Sequence, residues 1–329
     1  MRLRRAFEDG LAFPVTGRIA VFRPPDDASL PGVPRDQCDI IHDFKPSHTL
    51  WTDRGYRTLT AAEDRYAAAI VCLPRSKTEA RALISKAVST TSGVVVIDGQ
   101  KTDGIDAILK QIRTRVAIDG TISKAHGKLF LISAAHPETF EDWAVPPART
   151  AAGFWTAPGV FSAENIDLAS ALLVDVLPHT LSGHVADFGA GWGFLSAHLL
   201  TRPKVERVHL VEAGFMALEC ARRNVADPRA IFHWADVRNW APPRALDAVI
   251  MNPPFHQGRA AEPELGVAFI NAASQVLTPQ GELWMVANRH LPYEAALKQT
   301  FMMVKEVGKD ARFKRFHAAR PVRLKRSKR

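Results

Sequence analysis

No stretch of this chain holds 18 consecutive apolar residues, the length a membrane-spanning helix needs. A membrane protein of the helical kind is therefore not expected. Cysteine is scarce: Cys38, Cys72 and Cys220 are the only three, an odd number without metal-ligand spacing. That argues against a disulfide framework and a zinc site, and fits a reducing cytoplasm. The start, Met1 to Asp9, is charged but has no apolar h-region behind it, so no secretory signal is expected. Acidic residues are missing from the last ten positions, Arg320 to Arg329, which carry six Lys/Arg out of a net charge of +9 for the chain. The basic character thus sits in a tail, not over a face. Such a tail is either a solvated end or a non-specific hold on RNA phosphates.

The chain has ample length and apolar residues. Its 329 residues, 47% of them hydrophobic, suffice for two domains with ordinary cores. Strand-like runs alternate with helical spacing in both halves, which is the α/β pattern. In the first half the strand candidates are Gly17 to Phe22, Cys38 to His42, Ala67 to Leu73 and Gly93 to Asp98. Helical spacing covers Lys77 to Val88 and Gly104 to Val116. Pro137, Pro146, Pro147, Gly153 and Pro158 then break the pattern. The expected organisation is a domain over 1–145, a linker over 146–157, a second domain over 158–319 and a basic tail over 320–329. In the second half, strands are expected at Val185–Phe188, Val208–Val211, Ile231–Trp234, Leu246–Met251 and Gly281–Ala287, with helices between them. Phe301–Gly308 and Arg312–Ala318 read as a closing hairpin. Five parallel strands with an antiparallel edge make a doubly wound sheet.

The halves also resemble each other. Gly17-Arg-Ile-Ala-Val-Phe parallels Gly183-His-Val-Ala-Asp-Phe, and Ala69-Ile-Val-Cys-Leu-Pro parallels Val249-Ile-Met-Asn-Pro. A duplication is the reading adopted here; generic α/β patterning is the alternative. In the first copy Arg23-Pro24-Pro25 replaces a glycine loop, and Leu73 stands where the second copy has Asn252.

That asparagine begins the most chemical stretch of the chain, Asn252-Pro253-Pro254-Phe255. Two prolines cannot continue a strand, so the backbone leaves the sheet at its carboxyl end, where open α/β sheets bind ligands. An amide oxygen and a backbone carbonyl can accept the two N–H bonds of a planar amine and favour a pyramidal nitrogen. Phe255 can stack on a base, worth about 1–3 kcal/mol. On its own this is equally an Asn-Pro turn with a core Phe. Asp187-Phe-Gly189-Ala-Gly191-Trp-Gly193 follows the first strand of the same half. A dinucleotide fingerprint would put its third glycine where Phe194 stands. Asp187, just before the loop, suits an ammonium or sulfonium better than a pyrophosphate, and S-adenosylmethionine carries both cations. Glu212 ends the next strand and can accept from both ribose hydroxyls. Asp236 follows the third strand and can accept from the adenine amine.

With these residues in place, the second half resembles the class I S-adenosylmethionine-dependent methyltransferases. More closely it resembles the bacterial small-subunit (16S) rRNA guanine-N2 methyltransferases and their large-subunit relatives. The resemblance is carried by Pro158-Gly-Val-Phe161-Ser162 with Asp167, Asp187-Phe-Gly-Ala-Gly, Asn252-Pro-Pro-Phe-His256, and Val286-Ala-Asn-Arg-His-Leu-Pro-Tyr293. It implies two tandem Rossmann-like methyltransferase-type domains, the first degenerate and serving RNA positioning or structure, the second catalytic. It also implies that Phe161 and Ser162 close over the cofactor. Glu212 departs from the Asp common among relatives, though either acid binds a ribose.

The expected activity is methylation of a guanine N2 amine in ribosomal RNA, with S-adenosylmethionine as cofactor and no metal. The expected partner is rRNA or the small subunit, and the expected state a cytoplasmic monomer. Open alternatives are another planar amine or amide (a 23S rRNA guanine, a DNA adenine, a protein glutamine) or a non-catalytic RNA-binding assembly factor. Trp192, Trp234 and Trp284 are expected in packing roles, and Ser123 to Lys128 as a solvated turn or an RNA-facing hairpin.

Overall fold

The computed structural model describes residues 2–14, 16–63, 65–254 and 263–323. The chain forms two compact units. One comprises Met1–Pro147 with Ala157–Gly159, the other Ala148–Thr156 with Val160–Arg329.

The first unit is a seven-stranded sheet of β1 (Ile19–Phe22), β2 (Cys38–Ile41), β3 (Arg57–Leu59), β4 (Ala68–Cys72), β5 (Val94–Gln100), β6 (Asp119–Lys124) and β7 (Gly127–Ser133), in the order β3-β2-β1-β4-β5-β7-β6. Its helices are α1 (Arg2–Glu8), α2 (Lys45–Asp53), α3 (Lys77–Thr90) and α4 (Ile105–Arg113). Ser76 caps α3 by accepting from the Glu79 N–H, the usual remedy for an orphan donor at a helix start. Residues 124–127 turn the β6–β7 hairpin, with Ala125 and His126 at positive φ.

The second unit begins with a small hairpin, β8 (Ala148–Arg149) and β9 (Trp155–Thr156), inside the stretch read from sequence as a linker. Its main sheet contains β10 (Gly183–Phe188), β11 (Val205–Glu212), β12 (Ala230–Trp234), β13 (Leu246–Met251), β14 (Leu277–Asn288), β15 (Phe301–Glu306) and β16 (Phe313–Pro321). The order is β12-β11-β10-β13-β14-β16-β15, the same as in the first sheet. The first five strands in that order are parallel, and β15–β16 is the expected antiparallel hairpin. Around it lie α5 (Leu168–Val174), α6 (Phe194–Leu199), α7 (Phe215–Asn224), α8 (Pro263–Val276) and α9 (Tyr293–Thr300). The central strands are buried on both faces because helices cover both. On one face Ala186, Phe188, Val249 and Met251 pack with Phe269, Ile270 and Ala273 of α8. Each such buried Ile, Leu or Phe contributes about 1.5–3 kcal/mol. Both the doubly wound class and the tandem arrangement expected from the sequence are borne out.

The shared strand order lets the copies be compared position by position. The residue after the first strand is Arg23 in one and Gly189 in the other. Both have positive φ, and both donate their N–H to the second strand, to Ile41 O and Val211 O, each at 2.9 Å. Glu212 follows Val211; the buried His42 follows Ile41. Burial and the nearby Arg23 push the His42 imidazole down to about 3. Leu73, buried, takes the place of Asn252. The Arg23 guanidinium folds over this edge onto Asp43 and onto Glu79 of α3, the latter at 3.2 Å.

Candidate active site

The parallel register brings the proposed chemistry to one edge. Phe188 pairs with Val211 and with Met251, and Glu212 with Trp234. So Gly189, Glu212, Asn252 and the turn to Asp236 leave the sheet at neighbouring points.

The glycine loop turns sharply from β10 into α6. Gly189, Gly191 and Gly193 have φ of 71°, 54° and 90°, a region that only glycine adopts without strain. Glu212 braces the loop: its Oε2 accepts from Gly191 N at 2.8 Å, its Oε1 from Gly214 N at 2.6 Å. A carboxylate is acceptor-only, so hydroxyl donors are ligand groups that suit it. Asp236 binds Arg238 through both oxygens, with an ion pair of 2.6 Å. Ser162 sits at φ 53°, and Phe161 is 58% exposed, beside the loop.

Asp187 is placed differently from the expectation of an open cationic contact. It is fully buried beneath the loop, and its Oδ2 accepts from Ser196 Oγ of α6 at 2.7 Å. Its Oδ1 is buried with no partner among the described residues. Burial pushes this carboxyl up to about 7, with Glu212 adding and Ser196 opposing. The folded state thus keeps a proton that the unfolded chain has already lost. Stability from this group is complete below the ordinary value of 3.8 and is lost as pH rises through about 7. We expect Asp187→Asn to flatten that decline in ligand-free protein, read by urea unfolding at about pH 5 and about pH 7.5. An equal loss of stability in both proteins would show that Asp187 is not the titrating group.

Asn252 shows the most constrained geometry. It is half-buried at the end of β13. Its Nδ2 donates to Asp167 Oδ2 and to Ser170 Oγ, both at 2.9 Å. The same Asp167 oxygen caps α5 by accepting from Ser170 N at 2.8 Å. With both amide hydrogens committed, the amide cannot flip without setting its oxygen against the Asp167 carboxylate. Its Oδ1 is left to accept. Asn252, Asp167 and Ser170 line one cleft with Phe161, Gly189 and Gly191. Pro253, next in the chain, is buried and Pro254 exposed. Phe255 and His256 lie outside the described residues. Asp187, Gly193, Glu212 and Asp236 do not line this cleft.

Residues 151–317 match the methyltransferase small domain family. The chain belongs to that family. It is a methyltransferase, as its motifs imply. The relatives agree with the resemblance read from the sequence. The ribosomal RNA small subunit methyltransferase C of Acinetobacter baylyi is 30% identical over 246 residues, 70% of this chain and 72% of that protein. A protein of the same name from Acinetobacter baumannii is 26% identical over 314 residues, 87% of this chain and 90% of its own. Among solved structures, the T. thermophilus 16S rRNA N2 methyltransferase in complex with AdoMet and guanosine matches in fold, with a TM-score of 0.79 and 24% identity over 97% of this chain and 92% of that one.

Several supports of the methyltransferase site are not visible in its motifs. Trp192 is buried, as expected for packing, but its Nε1 also donates to Phe161 O at 3.1 Å and pins that segment to the glycine loop. Asn224, at the end of α7, bonds both Trp155 backbone groups and the Trp192 carbonyl. Ser170 had one usable signal: an Asp three residues earlier, opening an apolar helix, is an N-cap pattern.

Proposed function

We propose that this methyltransferase transfers a methyl group from S-adenosylmethionine to the exocyclic N2 of a guanine in small-subunit (16S) rRNA. The observation that carries the reading is the locked Asn252 amide, whose oxygen shares a cleft with the glycine loop. The names of the relatives support the substrate class. The residues present suit the donor. Backbone without side chains approaches at Gly189 and Gly191, Glu212 presents acceptor oxygens of the kind ribose hydroxyls need, and Asp236 would exchange part of its pairing with Arg238 for an amine. The orphaned Asp187 Oδ1, fully buried beneath the loop and outside the cleft lining, would meet a cationic group only through an intervening water. When bound, S-adenosylmethionine supplies an electrophilic methyl whose C–S bond breaks as the new N–C bond forms.

The chain's own contribution is orientation and electrostatics. Asn252 Oδ1 and a backbone carbonyl of the Pro253–Pro254 turn accept the two N2 hydrogens. Those bonds strengthen as the nitrogen becomes pyramidal and its lone pair turns toward the methyl. The target amine is nearly neutral, so no strong base is required first; one proton leaves to water afterwards. The base must be unstacked from its RNA to enter. The first unit positions RNA, and the protein acts as a cytoplasmic monomer.

The direct test is to map N2-methylguanine in small-subunit rRNA from cells lacking this protein. One N2-methylguanine is expected to disappear and to return when purified protein is added with S-adenosylmethionine. An unchanged modification map would sink the proposal.

A further inference from the structure

We infer that Asp167 selects guanine, by accepting a hydrogen bond from the base's N1–H. This rests on the placing of the N2 amine against Asn252 proposed above and adds a second contact to it.

The Asp167 carboxylate is split between two environments. Oδ2 is committed inside the protein, to Ser170 N at 2.8 Å and Asn252 Nδ2 at 2.9 Å. No described residue bonds Oδ1, and Asp167 lines the cleft together with Asn252. Neither internal bond requires a charge. Asn or Ser caps a helix as well as Asp does, and any oxygen would hold the Asn252 amide. A carboxylate oxygen that no described residue bonds, on a residue lining the cleft, calls for a donor from outside.

Guanine has that donor in the right place. Its N1–H is next to the N2 amine on the same edge and points the same way. Asn252 and Asp167 are side by side, joined by their own hydrogen bond, so their outer oxygens form adjacent acceptors. With Asn252 Oδ1 on an N2 hydrogen, Asp167 Oδ1 faces N1–H. Adenine and cytosine instead carry a ring-nitrogen lone pair beside their amines, which a carboxylate repels. A turn suited to many planar amines thereby becomes a reader of one base.

The test uses short RNAs carrying either the mapped guanine or 2-aminopurine in its place. 2-Aminopurine keeps the N2 amine but has a bare lone pair at N1. Wild-type protein is expected to favour guanine by at least about 100-fold in kcat/KM, since a site built for a donor rejects the analogue lacking it. In Asp167→Asn the amide oxygen keeps both internal bonds and the amide NH2 takes the place of Oδ1, now a donor toward N1. The guanine preference should then collapse by at least about 100-fold, through loss on guanine and gain on 2-aminopurine. A purely structural Asp167 gives a different result: both substrates change alike and the ratio stays, which overturns the inference. Should the variant turn over too slowly, fluorescence titration with 2-aminopurine riboside, in the presence of S-adenosylhomocysteine, replaces the rate. Tighter binding by Asp167→Asn than by wild type supports the reading, and equal or weaker binding overturns it. Wild-type protein inert on guanine RNA is a separate outcome, which removes the proposed function itself.

Discussion

Asn252→Ala is expected to lower single-turnover methyl transfer by about 10²–10³-fold, the usual cost of removing one preorganised transition-state contact. Cofactor affinity should stay close to wild type, because the glycine loop, Glu212 and Asp236 are untouched. The substitution is clean by the geometry. Asp167 Oδ2 keeps its bond from Ser170 N, so the α5 cap survives loss of the Asn252 donor. A contact that strengthens only as the target nitrogen becomes pyramidal should appear in kcat more than in KM. Asn252→Asp is expected to be at least as damaging. It sets a second carboxylate within the 2.9 Å now spanned by the amide's bond to Asp167, and two acids that close cannot both ionise. The measurement is transfer of labelled methyl to rRNA with calorimetric cofactor binding in parallel. Wild-type transfer by Asn252→Ala would reduce Asn-Pro-Pro to an ordinary turn.

Gly193→Ala should be the most destabilising small change in the glycine loop. Its φ is 90°, and an added Cβ would stand 2.9 Å from Val225 Cγ2 and 3.3 Å from Ala221 Cβ. Backbone strain of about 1–3 kcal/mol and overpacking of about 1–3 kcal/mol act together. Gly191→Ala is the matched control: its φ is also positive, at 54°, but nothing lies within 4 Å of its added Cβ. It should cost only the strain, about 1–3 kcal/mol. Because α7 cannot yield easily, the Gly193 variant should also displace the loop and weaken cofactor binding more than the control does. Urea unfolding and cofactor titration of both variants decide it. Equal stabilities would mean that α6 and α7 part without cost.

The strands that form the site were readable because apolar runs ending in Gly, Pro, Asn or acid mark both the strand and its edge. The order of the ligand-facing residues followed from that. What escaped were contacts between residues far apart in sequence. Asn252 and Asp167 are separated by 85 positions, and Trp155 and Asn224 by 69. No local period reports such pairs. Asp187 was read as facing a ligand because it precedes the loop, but in a strand covered on both sides the position does not tell which way the carboxylate points. The three-residue β3 carries too few apolar side chains to stand out, and the β8–β9 hairpin was hidden among prolines and glycines that read as a linker.

The Arg23 cluster has a consequence for how a spent duplicate can change. Glu79 is held high by burial, with Asp43 pushing the same way and Arg23 opposing both. Reverting Arg23 to glycine would remove the only cation of that trio and leave two acids facing one another. His42 and Leu73 would still block the two neighbouring positions. That backward step is thus less stable than the present state, and alone it leaves His42 and Leu73 where they are. In a duplicated sheet such a cluster would act as a ratchet: its outer surface stays free to change, while the first step back towards a glycine at this edge removes the cation that two acids share.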